Sequence, residues 1–114
     1  MTTLYGIASC DTMKKARAWL DGRGIVYVLH DYKRAGLPET LARAWVTELG
    51  WEAVVNRRGT TWRRLPESVR ASMDAESAVR VMLENPSIVR RPMLDTGGAR
   101  HPGFTPEQYQ EIFG

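Results

Sequence analysis

The chain contains a single cysteine, Cys10, whose side chain is a potential nucleophile. Only the thiolate attacks, so a reactive cysteine needs surroundings that lower the pKa of its thiol. The residues after Cys10 predict a helix, and the first turn of a helix supplies unpaired N–H groups and the positive end of the helix dipole. Lys14 and Lys15 add positive charge, whereas Asp11 opposes them and could serve as the N-cap instead. Position alone leaves Cys10 as either an inert buried cysteine or a reactive thiol.

The elements that must position this cysteine follow from the spacing of apolar residues. Residues 3–7 predict a short strand, and residues 11–20 carry apolar side chains on one helical face. Gly22 and Gly24 end that helix. The apolar run 25–29 is typical of a strand that is buried on both faces of a parallel sheet. Together these segments predict a β-α-β unit with a right-handed crossover.

The middle of the chain is predicted to be helical. Pro38, at a first helical position, opens a helix that ends at Gly50. Residues 51–70 show only short helical turns, and residues 74–84 predict a further helix that stops before Pro86.

The C-terminal part predicts a β-hairpin followed by a helix. A strong turn signal at residues 95–98 separates two short strand candidates. The helix has a clear start, with Thr105 as N-cap, Pro106 at the first helical position and Gln108 closing a capping box. Phe104 is placed to pack against Tyr109 as a hydrophobic staple.

The predicted order is therefore β-α-β, a helical middle and β-β-α, which is the order of a thioredoxin-like α/β fold carrying a helical insertion. We expect a mixed central sheet and a single domain over residues 1–114, with the insertion at about 37–84. No apolar run approaches the roughly 20 residues of a membrane-spanning helix, and the N-terminus has no secretory signal. We expect a cytoplasmic monomer that is not bound to a membrane.

Three segments carry a resemblance to a known family: residues 5–16, residues 56–60 (NRRGT), and the stretch from Asn85 to Pro92. In their order and spacing they resemble the arsenate reductase (ArsC)/Spx family over nearly the whole chain, and in detail its YffB-like branch. The resemblance implies a thioredoxin-fold core, a catalytic cysteine at Cys10, and a cycle in which glutathione regenerates the protein thiol.

The resemblance also implies roles for an Arg-Pro step in this sequence. Arg91 corresponds to an anion-binding guanidinium, and Pro92 to the cis-proline that thioredoxin folds keep beside the active cysteine. Only about 5% of bonds that precede proline are cis, so a cis bond here is a specific prediction.

Arsenate reductases of this family surround the cysteine with three arginines. By motif the first falls on Asn56, with Arg57 as its neighbour, and the second is Arg91. Arg100 is the nearest candidate for the third, although the local pattern matches poorly. Arginine outnumbers lysine thirteen to three in this chain, a bias that favours anionic ligands.

The leading hypothesis is a glutathione-dependent thiol reductase in which Cys10 attacks an oxidised sulfur, while Arg57 and Arg91 hold anionic groups. A chain with one cysteine needs an external thiol to resolve a mixed disulfide. An arsenate reductase coupled to glutathione or glutaredoxin is the first alternative. Spx regulators usually carry a second cysteine three residues after the first, where this chain has Met13. A noncatalytic Spx-like protein that binds RNA polymerase is the second alternative.

Other sites are weaker candidates. The basic residues of segment 57–64 are interleaved with Trp62, a pattern seen in nucleic-acid binding. A net charge of +3 gives little overall field, so a solvated face or contacts to the carboxylates of glutathione are the preferred interpretations. His30 and His101 form no metal-ligand cluster with a lone cysteine, and we expect neither a metal nor a permanently bound cofactor.

Overall fold

The structure, a computed structural model, describes all 114 residues. It divides into two compact units, Met1–Arg34 with Arg91–Gly114, and Ala35–Arg90. The strands are β1 (Thr3–Gly6), β2 (Val28–Asp31), β3 (Met93–Asp95) and β4 (Arg100–Pro102). The helices are α1 (Asp11–Gly22), α2 (Tyr32–Ala35), α3 (Glu39–Leu49), α4 (Trp51–Val54), α5 (Thr60–Arg64), α6 (Glu67–Ala71), α7 (Ala75–Glu84) and α8 (Pro106–Phe113). No helix combines the length and apolar character needed to cross a membrane.

The first unit is built on a mixed four-stranded sheet. Its strand order is β2-β1-β3-β4, in which β1 runs parallel to β2 and antiparallel to β3, and β4 closes a hairpin with β3. The order β-α-β, helices, β-β-α and the mixed sheet are those predicted from the sequence. The thioredoxin-like α/β fold is therefore confirmed.

The register of the strands decides which chain segments meet at one end of the sheet. Gly6 at the end of β1 pairs with Asp31 at the end of β2, and Met93 at the start of β3 pairs with Tyr5. Because β3 is antiparallel to β1, the loop that leaves β1 and the segment that enters β3 lie at the same end of the sheet. Cys10 follows β1 at this end.

Helices α1 and α8 cover one face of the sheet. The fully buried cluster consists of Leu4 and Leu94 from the sheet, Met13, Ala16 and Leu20 from α1, and Tyr109 from α8. Burial of these side chains is the main force that holds α1, and with it Cys10, against the sheet.

Helix α8 begins at the predicted residues, with Thr105 as N-cap and Pro106 as the first helical residue. The Oγ1 of Thr105 accepts a hydrogen bond from the N–H of Gln108 at 3.0 Å. The rings of Phe104 and Tyr109 are in edge-to-face contact, with their centroids 4.6 Å apart. The side chain of Gln108 donates to the carbonyl of Pro102 at 3.3 Å, so it does not complete the predicted capping box.

The prediction of a strand buried on both faces at residues 25–29 is wrong. The observed strand begins at Val28 and lies at the edge of the sheet, with β1 as its one neighbour. Val26 is 81% exposed and Val28 is 50% exposed. An apolar, β-branched run suits an edge strand as well as a central one, so composition did not reveal the position in the sheet.

The second unit, Ala35–Arg90, is helical. Helices α3 and α7 lie against each other, and both bury apolar side chains, including Trp45 on α3 and Met82 on α7. Pro38 is the N-cap of α3 instead of its first residue, and Gly50 ends that helix with a positive φ of 83°. This unit includes the predicted insertion at about 37–84; that the whole chain is one domain stays a prediction.

Candidate active site around Cys10

Cys10 is the N-cap of α1, with an extended backbone at φ −70° and ψ 135°. Its N–H donates to the carbonyl of Ile7 at 3.0 Å, and its carbonyl accepts from the N–H of Lys14 at 3.0 Å. Asp11 is the first helical residue, so the alternative in which it caps the helix is wrong. The thiol is free and half-buried, and it packs against the core beneath α1.

The surroundings of Cys10 favour the thiolate. Burial by itself raises the pKa of the thiol, but the N–H groups of Met13 and Thr12 and the guanidinium of Arg91 outweigh it, so the pKa lies below its ordinary value. The sulfur closes no capping hydrogen bond of normal geometry, which leaves the first-turn N–H groups to act on its charge. The cation that acts on the sulfur is Arg91, and not one of the two lysines of α1.

The Arg91–Pro92 peptide bond is cis, which confirms that prediction. Pro92 is buried, and its carbonyl accepts a hydrogen bond from the N–H of Gly103 at 2.9 Å. The turn into β3 is therefore tied to the segment that follows β4. This anchoring places Arg91, immediately before Pro92, at the end of the sheet where Cys10 also lies.

The position three residues after Cys10 is part of the core. The Met13 side chain is fully buried, and a Cβ built on Gly6 would overlap the Met13 sulfur. Gly6 is therefore a glycine because the Met13 side chain occupies the space that a larger residue would need. The chain has no second thiol at this position or elsewhere.

Tyr32 lies at the same end of the sheet as Cys10, and the sequence analysis did not single it out. It follows the end of β2, is 5% exposed, and its hydroxyl is buried without a hydrogen-bond partner. Burial and the neighbouring Tyr5 raise its pKa, and the positive charge of Arg91 partly opposes them. The ring is in edge contact with that of His30, at a centroid distance of 6.0 Å. Its place next to the parallel strand pair was the only sequence signal for it.

Arg100 is paired within the β3–β4 hairpin. Its Nε lies 3.4 Å from the Oδ2 of Asp95, its partner in the β3–β4 hairpin. Asp95 in turn pairs with Thr3 at the start of β1, whereas Cys10 follows the other end of that strand. The length of β1 is about 10 Å at the usual rise per residue. The expectation that Arg100 completes a set of three arginines at the cysteine stays a prediction.

Asn56 and Arg57 belong to the second unit. There the Oδ1 of Asn56 accepts a hydrogen bond from the N–H of Arg58 at 3.1 Å. The guanidinium carbon of Arg57 lies 5.6 Å from the centre of the Trp51 ring. Both residues line a cleft of about 280 Å³ in this unit. Their role as ligands of a substrate at Cys10 stays a prediction.

Trp62 and His30, two weaker candidates from the sequence, each pack against another aromatic ring. Trp62 stacks on Trp51 with a centroid distance of 6.3 Å, so one face of its ring is already in contact. The His30 ring lies against Tyr5 at 4.9 Å. No group of three His, Cys, Asp or Glu side chains is arranged to hold a metal ion.

The comparison with known proteins agrees with the fold and with the sequence segments around Cys10. The model of the ArsC family matches residues 5–112, which is nearly the whole chain. This chain belongs to the ArsC family.

Three relatives of this ArsC-family chain are similar over nearly all of its length. An uncharacterized protein of Haemophilus influenzae is 42% identical over 113 residues, which are 99% of each chain. The solved structure of the "YFFB (PA3664) protein" has a TM-score of 0.96 and 45% identity, and the match covers 100% of both chains. An arsenate reductase (ArsC) related protein from Brucella melitensis has a TM-score of 0.81 and 49% identity, covering 98% of this chain and 93% of that one.

Proposed function

We propose that this ArsC-family protein is a thiol–disulfide reductase that uses Cys10 as its nucleophile and glutathione as its reductant. The observation that carries the proposal is the lowered pKa of a single, half-buried thiol at a helix N-terminus beside a guanidinium. A cysteine with these surroundings is more reactive at neutral pH than an ordinary thiol.

The proposed cycle has two thiol–disulfide exchanges at Cys10 and a third between two glutathione-bearing species. In the first, the Cys10 thiolate attacks one sulfur of a disulfide substrate, forms a mixed disulfide, and releases the other sulfur as a thiolate. In the second, a glutathione thiolate attacks the substrate sulfur of the mixed disulfide. A disulfide forms between glutathione and the substrate, and Cys10 leaves as a thiolate. A second glutathione then reduces that product and becomes glutathione disulfide. The substrate gains two electrons, and two glutathione molecules supply them.

The lone thiol supports an external reductant. The residue one helical turn after Cys10, Met13, is buried in the core and bears no thiol that could resolve the mixed disulfide within the chain. The N–H groups and Arg91 that favour the Cys10 thiolate would also stabilise it as the leaving group in the second exchange, because a thiol of lower pKa leaves faster.

Arsenate reduction is the weaker candidate. The position of the first family arginine is Asn56 here, and Arg100 is paired with Asp95 at the far end of β1. Each missing charge-assisted contact costs about 1.5–3 kcal/mol, or roughly one to two powers of ten in affinity for the oxyanion. We therefore expect disulfide substrates to be preferred over arsenate.

The test is turnover of a glutathione mixed disulfide by purified protein, followed as glutathione disulfide formed. We expect the wild type to turn over and to carry one glutathione on Cys10 after treatment with glutathione disulfide. Cys10→Ser should do neither, while Ser9→Ala, at the exposed neighbour, should behave as the wild type. Full turnover by Cys10→Ser would refute the mechanism.

Two further arms separate the alternatives. Turnover of arsenate with glutathione and glutaredoxin, in the absence of disulfide turnover, would favour an arsenate reductase. Failure of both substrates, with capture of an RNA polymerase subunit, would favour a noncatalytic Spx-like regulator.

A further inference from the structure

We propose that Tyr32 is a positioning residue for Arg91. Its buried hydroxyl accepts a hydrogen bond from the guanidinium while Cys10 is held in a mixed disulfide, and the guanidinium returns to the sulfur when Cys10 becomes a thiolate again. This inference rests on the proposed function, because it concerns the mixed disulfide of that cycle. All three residues belong to the first compact unit.

The first argument is the placement of Tyr32 and Arg91 on either side of β1. Tyr5 on β1 pairs with His30 on β2 and with Met93 on β3. Tyr32 comes two residues after His30, and Arg91 comes two residues before Met93. Because β2 is parallel and β3 antiparallel to β1, both residues lie at the end of the sheet that carries the cysteine. Their backbones are about two strand spacings apart, or about 10 Å, a distance that two long side chains can span.

The second argument is the unused hydroxyl of Tyr32. The side chain is 5% exposed, and its hydroxyl is buried with no hydrogen-bond partner. A buried hydroxyl without a partner has a cost in free energy that a phenylalanine of the same shape would not have. Solvent does not reach this oxygen, so the partner that it lacks is best supplied by a neighbouring side chain.

The neighbour that can supply this partner is Arg91. Burial raises the pKa of the Tyr32 hydroxyl, Tyr5 adds to the rise, and the charge of Arg91 opposes it. The hydroxyl of Tyr5 already shares a side-chain hydrogen bond with Thr3, at the start of β1 and away from the cysteine. A guanidinium carries five N–H groups, so Arg91 has donors to offer to the Tyr32 oxygen.

The third argument is the change of charge at the sulfur. In the reduced protein, burial raises the pKa of the Cys10 thiol, while backbone N–H groups and the charge and hydrogen bond of Arg91 lower it by more. A mixed disulfide removes the negative charge, and a neutral sulfur is a weak acceptor. The hydroxyl oxygen of Tyr32 is a better acceptor, and its buried surroundings strengthen a hydrogen bond to a cation. The guanidinium therefore gains by turning from the sulfur to Tyr32.

This exchange of partners keeps Arg91 beside Cys10 throughout the cycle. A guanidinium that moved into solvent would have to be ordered and desolvated again before the second thiol–disulfide exchange. Held by Tyr32, the guanidinium is ready to stabilise the negative charge that develops on Cys10 as glutathione attacks. Tyr32 acts through Arg91 and touches no reacting atom.

The experiment measures the equilibrium between reduced and glutathionylated Cys10. The Cys10 thiolate attacks glutathione disulfide, so that one S–S bond breaks, another forms, and glutathione leaves as a thiolate. The full chain is equilibrated in buffers with different ratios of glutathione to glutathione disulfide, and mass spectrometry after acid quenching gives the fraction modified. We expect Tyr32→Phe to lower the equilibrium constant about tenfold, which is the loss of one hydrogen bond to a charged group.

The reduced protein provides a second readout that separates positioning from a general structural defect. The Tyr32 hydroxyl has no partner in the reduced protein. The pH profile of Cys10 alkylation in Tyr32→Phe should therefore coincide with that of the wild type. A defect in the packing around Cys10 would move both the alkylation profile and the glutathionylation equilibrium.

The matched control is Tyr109→Phe, which also removes a buried hydroxyl without a partner. Burial is the one cause that raises the pKa of Tyr109, so no charged group acts on this hydroxyl. We expect the control to match the wild type in both readouts. In an Arg91→Met background, Tyr32→Phe should have no further effect on the equilibrium, because the two side chains form a single interaction.

The outcomes distinguish this inference from the proposed function. An equilibrium constant for Tyr32→Phe within about twofold of wild type would overturn the inference and leave the proposed function standing. The same holds if Tyr32→Phe keeps its full effect in the Arg91→Met background. A mixed disulfide that forms without turnover would refute the reductase and leave the effect of Tyr32 on the equilibrium in place. A wild type that forms no mixed disulfide would overturn both.

Discussion

Replacing Arg91 with methionine removes the cation that acts on the Cys10 sulfur while keeping an unbranched side chain of similar length. In the wild type, burial raises the pKa of the thiol, and the N–H groups of Met13 and Thr12 together with Arg91 lower it by more. The variant keeps the burial and the helix N-terminus. We therefore expect a higher thiol pKa in Arg91→Met and fewer thiolates at neutral pH.

The size of the effect follows from the kind of contact that is lost. A charge-assisted hydrogen bond contributes about 1.5–3 kcal/mol. Because Cys10 is only half-buried, solvent screens the interaction, and we take the lower end of this range. At a pH below both pKa values this leaves about tenfold fewer thiolates. Each remaining thiolate is more nucleophilic by about threefold, since nucleophilicity rises with pKa, so the net rate of attack should fall about threefold.

The assay is the pH dependence of iodoacetamide alkylation, which is unambiguous because the chain has one thiol. Arg90→Met is the matched control, since Arg90 is the preceding residue and does not contribute to the pKa of Cys10. The alkylation profile of Arg91→Met should move to higher pH, and that of Arg90→Met should not. An unchanged profile in Arg91→Met, or an equal change in both variants, would refute the assignment of Arg91 as the cation of the site.

Three further predictions concern stability. Gly6→Ala should lower the free energy of unfolding by about 1–3 kcal/mol, because the new methyl group overlaps the Met13 sulfur; Gly22→Ala, in open space on α1, should be neutral or stabilising in the same denaturant titration. Tyr109→Phe should leave stability unchanged or raise it, because the hydroxyl that it removes is buried without a partner, whereas Tyr109→Ala should cost about 3–5 kcal/mol; a large loss in the phenylalanine variant would reveal a partner for the hydroxyl. Asp74 is the N-cap of α7, and its carboxylate accepts a hydrogen bond from the N–H of Ser77, which holds the pKa of the carboxyl below its usual value. The cap therefore stabilises α7 at a pH above the unfolded-state pKa, and this stabilisation is lost as the pH falls through the folded-state pKa. Asp74→Ala should therefore destabilise the protein at pH 7 and match the wild type more closely in acid, and a difference that did not shrink in acid would contradict this account.

The sequence by itself determined the features that depend on neighbouring residues. The start of α8 at Thr105, the turn between β3 and β4, and the strand-to-helix transition at Cys10 were all predictable, because caps, turns and helical faces are set within a few positions. The cis bond at Pro92 was predictable only through the family resemblance. Element order then led to the thioredoxin-like fold.

Only the tertiary structure decided what depends on strand order and register. The exposure of Val26 follows from β2 lying at the sheet edge, and the pairing of Arg100 with Asp95 follows from the hairpin register. The meeting of Arg58 with Arg90 depends on hydrogen bonds between segments about thirty residues apart. Local patterns of apolar and charged residues carry no information about such long-range pairings. The same holds for Cys10: its place at a helix start was predictable, but the cation that lowers its pKa was assigned by the folded structure.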